Sequence, residues 1–210
     1  MRALLACLLL VRVPPGAAQQ PSDHTLSIQQ GGKEIGREDY SIRPGTGAGT
    51  ILARARYPAS NPTLQIGATE ERAADGTIAK FELDVQAPEG NTVILAAGSG
   101  ARLIVRSVTK GEEAGRELPG GRDLVLLDDR VFSLFLAIAD AATPTGARLT
   151  AVYPRGGRRA TITARRESGP EGATIHLSGD VTGTLAVDSQ GRLERLELPA
   201  AGILVTPVGK

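Results

Sequence analysis

The stretch 123–142, DLVLLDDRVFSLFLAIADAA, restricts the fold more than any other part of the chain. Val131, Phe135, Ile138 and Ala142 recur at helical spacing, and Phe132, Leu136 and Ala139 fill the adjoining row. Only Arg130, Ser133, Ala137 and Asp140 make a narrow small-or-polar stripe. A helix apolar over so much of its circumference belongs inside a protein. The spacing predicts a helix over about 128–142, with Asp128 or Asp129 as the N-cap carboxylate and Thr143-Pro144 as the stop.

Almost everything else alternates with period two, the signature of half-buried strands. Residues 24–30 and 34–42 form a first hairpin about Gly31-Gly32, with Gly36 at a bulge. Strands follow at 50–57, 64–72 and 77–87. In the last of these, Ala79, Phe81, Leu83 and Val85 share one face, and Lys80, Glu82 and Asp84 the other. One dry face and one wet face indicate an antiparallel sheet covered on a single side. Further strands are read at 92–97 and 101–110, then a charged, glycine-rich connection at 111–122. After the helix come strands at 147–153, 159–166, 173–178, 181–188 and 193–198, with an edge at 203–205. About a dozen short strands joined by short turns make a long meander, and a twisted sheet of that length must curl. The expected fold is therefore mainly β: a long antiparallel meander curled into a half-barrel around one central α-helix at about 128–142.

Two features fix the compartment. Arg2, the apolar run 3–11 and the break Pro14-Pro15-Gly16-Ala17-Ala18 read as a secretory signal peptide over 1–18, leaving a single β-rich domain over 19–210. The run is too short to span a bilayer. Leu4-Leu5-Ala6-Cys7 also looks like a lipoprotein cleavage box, but too little apolar sequence precedes it. Cleavage after Ala18 removes Cys7, the one cysteine, so the mature domain has no disulfide and no thiol chemistry. The expected location is the periplasm or the extracellular space.

Charge and composition exclude other classes. Of 24 basic residues, Arg2 and Arg12 leave with the leader, so 22 remain against 23 acidic ones. Aromatic residues make up 3% of the chain and Trp is absent, so neither a steering field nor base-stacking side chains exist for nucleic acid. The glycines of 44–49 invite a phosphate-loop reading but lack the Lys-Ser/Thr partner and a following helix. His176 with Ser178 is the one pair that resembles a hydrolase site, without a nucleophile-elbow motif. Asp128-Asp129 are explained by the helix start. No acid/base pair, metal set or cofactor motif emerges, and the chain reads as a non-enzyme. Arg155, Arg158, Arg159, Arg165 and Arg166 form the densest basic cluster, suited to an anionic membrane surface.

Four motifs carry a resemblance: Gly32-Lys33-Glu34-Ile35-Gly36, Ala73-Ala74-Asp75-Gly76-Thr77, Leu127-Asp128-Asp129-Arg130-Val131-Phe132 and Asp188-Ser189-Gln190-Gly191-Arg192-Leu193. With the leader, the strands and the inserted helix, they resemble the half-barrel of the bacterial lipoprotein carriers LolA and LolB. They resemble more closely still certain uncharacterised exported bacterial domains of that plan. The resemblance implies a trough that holds a lipid or a lipoprotein acyl chain, lined by Phe81, Leu83, Val85, Phe132, Phe135 and Leu136. The chain departs from the carriers in its single helix and few aromatics. Its alternative role is a structural or interaction protein whose trough is plugged by its own helix.

Overall fold

The computed structural model describes residues 24–44 and 49–209. The proposed signal peptide and Cys7 lie outside them. Eight strands come first: β1 (His24–Gln30), β2 (Lys33–Arg43), β3 (Gly49–Tyr57), β4 (Leu64–Arg72), β5 (Ile78–Gln86), β6 (Thr92–Ser99), β7 (Arg102–Thr109) and β8 (Glu112–Pro119). A short β9 (Leu124–Leu126) leads to a single 3-10 turn (Ser133–Phe135) and α1 (Leu136–Ala141). Then follow β10 (Ala147–Tyr153), β11 (Arg158–Gly169), β12 (Gly172–Gly179), β13 (Gly183–Asp188), β14 (Leu193–Leu198) and β15 (Ile203–Pro207).

All fifteen strands belong to one open sheet in the order β8-β7-β6-β5-β4-β3-β2-β1-β15-β14-β13-β12-β11-β10-β9. Apart from the parallel β9–β10 pair, it is two antiparallel meanders sewn together by the β1–β15 pair. The expected edge at 203–205 is therefore a central strand. The stretch 111–122, expected to be a connection, holds β8, paired along its length with β7. Its inward positions Ala114 and Arg116 bring no apolar alternation, so no strand pattern could show.

The two free edges, β8 and β9, are joined by only residues 120–123. Four residues span at most about 18 Å between flanking ends, whereas fifteen flat strands would set the edges about 67 Å apart. The sheet must roll. It does so without pairing its edges; across the gap, Arg116 Nη2 donates to the Pro154 carbonyl at 3.2 Å.

The helix is much shorter than expected. A 3-residue 3-10 turn and a 6-residue α1 replace the predicted 128–142 helix. The chain before it is held by β10: Val125 and its neighbours pair in parallel with that strand, and Leu127 N–H donates to the Val152 carbonyl at 2.9 Å. Within the expected range, Asp128 and Val131 form an antiparallel bridge, so no helix precedes Ser133. Asp128 and Asp129 are not N-caps: Asp128 accepts from Arg130 N–H at 2.8 Å, tightening a turn before the helix. The predicted stop holds, since α1 ends at Ala141 and Ala142 is extended.

The segment from Leu124 to Ala142 lies against the inward faces of strands from both meanders, and together they form a single core. Leu126, Leu127, Val131, Leu134 and Ile138 have no exposed surface, and Phe132 and Phe135 retain 2% each. Burying side chains of this size contributes about 1.5–3 kcal/mol each, gross of ordering entropy. In β5 the inward set is Ile78, Phe81, Leu83 and Val85; a register shift opposite Glu71/Arg72 puts Ile78, and not the expected Ala79, into the core. Gly36 marks the anticipated bulge, where β1 skips Ile35. It must be glycine because a Cβ there would sit 2.3 Å from the Tyr57 ring.

Candidate functional site

The trough is the only place where the sequence put a ligand, so its contents decide what it can do. Phe81 and Leu83 are wholly buried, and Val85, Phe132, Phe135 and Leu136 keep 4%, 2%, 2% and 3% of their surface. These six residues are core, packed into one cluster with each other's neighbours. The Phe132 and Phe135 ring centroids stand 6.3 Å apart in a tilted arrangement. Leu136 alone of the six borders a recess between sheet and helix, a cavity of about 150 Å³. A broader hollow of about 930 Å³ lies on the outer face of β2–β5, where Gly67 leaves a gap among Asp39, Arg54, Thr69, Glu82 and Asp84. That hollow is shallow and polar.

Polar side chains from the sheet hold the segment in place. Glu38, on β2, has no exposed surface. Its Oε2 accepts from Phe132 N–H at 2.6 Å and its Oε1 from Ser133 N–H at 2.9 Å. No local side chain caps the 3-10 turn, so a carboxylate delivered from the sheet satisfies its first amides and sets its start. Burial pushes the Glu38 carboxyl up to about 7, against the downward pull of the Ser133 side chain and the two amides. Ser133 Oγ faces the carboxyl but does not reach hydrogen-bonding geometry.

Asp128, 2% exposed, takes a two-pronged bond from Arg155, Nε to Oδ2 at 2.9 Å and Nη2 to Oδ1 at 2.8 Å. Tyr57 Oη donates to the Arg130 carbonyl at 2.7 Å, and burial drives its pKa upward. On the other meander, Leu193 N–H donates to Tyr40 Oη at 3.0 Å; burial pushes that phenol up to about 12.

The five arginines do not form one open cationic surface. Arg155 is committed to Asp128, and Arg158 pairs with Asp129 at 2.8 Å while lying 3.5 Å over the Tyr153 ring. Arg166 Nη1 donates to the Ala139 carbonyl at 3.0 Å, a cation at the C-terminal end of α1. Only Arg159 and Arg165 stand exposed without an ion partner on the outer face of β11. His176 Nε2 lies 3.2 Å from Glu167 Oε2 on the exposed side of the sheet, and no serine bonds to it. Among the described residues, no group of three His, Cys, Asp or Glu side chains converges as metal ligands would.

Sequence reasoning missed three buried charged residues: Glu38, Glu70 and Arg72. Each occupies an inward parity position, Glu38 between Gly36 and Tyr40, and Glu70 and Arg72 after Ile66 and Ala68. A charge within the dry register of a strand was the available signal.

Comparison of the chain with family models, curated proteins and solved structures finds no match.

Proposed function

We propose that this is an exported, non-enzymatic interaction protein of the bacterial envelope, a half-barrel whose trough is occupied by its own 124–142 segment. One observation carries the reading. Phe132, Leu134, Phe135 and Ile138 fill the space that an acyl chain would need, and Glu38 pins them there through backbone amides. Drug-sized ligand cavities run to about 300–1,000 Å³, and the recess beside α1 is about 150 Å³. The surfaces left for a partner are the polar outer face of the rolled sheet and its two rims.

The test is gentle purification from envelope material, native mass spectrometry and lipid extraction. The expected result is the bare chain, with a melting temperature unmoved by fatty acids, phospholipids or acylated peptides. A stoichiometric lipid, or a melt raised by any of those additions, would replace this reading with lipid or lipoprotein carriage.

A further inference from the structure

We propose that the recess between β3, β4 and α1 is a binding site for a primary ammonium group on a short aliphatic stem, supplied either by a free amine or by a lysine side chain. The inference rests on the recess alone and stands whether or not the protein also carries lipid.

The central observation is an unfilled acceptor. Glu70 lines the recess from β4 and is 1% exposed. Its Oε1 accepts from Arg72 Nε at 2.6 Å, while Oε2 is buried and has no hydrogen-bond partner. Arg72 does not serve that oxygen as well. Its Nη1 is spent on the Gly76 carbonyl at 2.8 Å, and its Nη2 on the Leu124 carbonyl at 3.4 Å. An ionised carboxylate has about four acceptor positions, and buried ones are normally filled. Glu70, on the wall of the recess, therefore holds a buried oxygen that lacks a donor.

The walls define which donor. Asp140, the last acidic residue of α1, stands at the mouth and is exposed along one side, with protein crowded around the rest. Both carboxylates border the same recess. Against them stand Arg72, already paired, and Arg166, whose Nη1 is held by the Ala139 carbonyl. Two carboxylates disfavour an anion. An apolar occupant would leave Glu70 Oε2 as it is. A guanidinium is too wide for a recess already bordered by Arg72. An ammonium is a compact point charge with three donors, enough to meet Glu70 and Asp140 together. Ile51, Leu136 and Ala137 supply apolar wall for a stem. A cavity of about 150 Å³ accommodates roughly six heavy atoms, and n-butylammonium has five.

The test is a titration followed by two-dimensional NMR and calorimetry, using n-butylammonium, n-butanol, butyrate and an acetyl-lysine-amide peptide at matched ionic strength. Saturable binding of at least one amine is expected, with shifts confined to the recess. Both uncharged and anionic analogues should bind at least about tenfold more weakly. Glu70→Gln should weaken amine binding about tenfold, and Asp140→Asn, at the surface and so harmless to folding, about threefold. Tighter binding of the lysine peptide than of butylammonium would assign the site to a partner's side chain; the reverse order would assign it to a free amine. Three results would overturn the proposal: a recess that takes up water only, n-butanol binding as well as the amine, or unchanged affinity in both folded variants. None of these bears on lipid carriage, which the extraction experiment decides separately.

Discussion

A buried glutamate from the sheet stands beside each end of the helical segment, and the two are used differently. At the start, Glu38 has both oxygens occupied by backbone amides of the turn it supports. At the far end, Glu70 has one oxygen on Arg72 and one on nothing. Both carboxyls are raised by burial, and in neither case is the shift the informative part. What separates them is stoichiometry of donors: a saturated carboxylate is an architectural joint, and an unsaturated one retains capacity for something else. Glu38 connects β2 to a segment about 95 residues later in the chain. Glu70 connects only to its near neighbour Arg72.

Three measurements sharpen or break this contrast. The largest effect is expected for Glu38→Ala, which strands two buried amides at once and should cost on the order of 3 kcal/mol in denaturant unfolding. A loss under about 0.5 kcal/mol would mean that water reaches the turn and that Glu38 is no joint.

Next is pH. The folded-state carboxyl of Glu38 sits at about 7 against an ordinary value of 4.5. Between those values the folded chain holds a proton that the unfolded chain has released, so stability falls as pH rises. The gain is complete below the unfolded value and gone above about 7, amounting to on the order of 2–3 kcal/mol. Denaturant midpoints from pH 4 to pH 8 read it out, and Glu38→Gln should flatten the curve across that window. A wild-type midpoint that rises across the same window would contradict it.

The smallest effect is expected for Glu70→Gln. The amide keeps an acceptor for Arg72, whose Nη1 and Nη2 stay on the Gly76 and Leu124 carbonyls, so the cost should be about 1 kcal/mol. A loss of 3 kcal/mol or more, the size seen when a buried ion pair is broken, would make Glu70 as architectural as Glu38.

The same contrast explains what the sequence disclosed. Strands with an alternating dry face, such as β5, were legible because burial and period two coincide. β8 was not, because its inner face at Ala114 and Arg116 lies outside the core and carries no pattern. β9, just before the expected helix, was not read as a strand because a continuous apolar run such as Leu124-Val125-Leu126-Leu127 suits a buried strand as well as a buried helix. The burial of Phe81 and Phe135 was readable; that they would touch protein alone was not, since apolar periodicity records the need for a cover and not its identity. Glu38 and Glu70 were overlooked for the opposite reason. Charge usually marks a solvated face, and at Glu38 and Glu70 only the strand parity runs against that rule.

The pairing of β1 with β15 has a consequence for assembly. Each meander is a series of local hairpins and can begin to form as soon as its own turns exist. The seam between them, where Ile28 meets Val205, cannot: its partners lie at opposite ends of the described chain. The helical segment likewise stays uncovered until strands from both sides arrive. Such late closure is slow by the cost of long-range contact formation. Among the described residues β15 is the last strand in sequence, and it is the one that joins the two meanders.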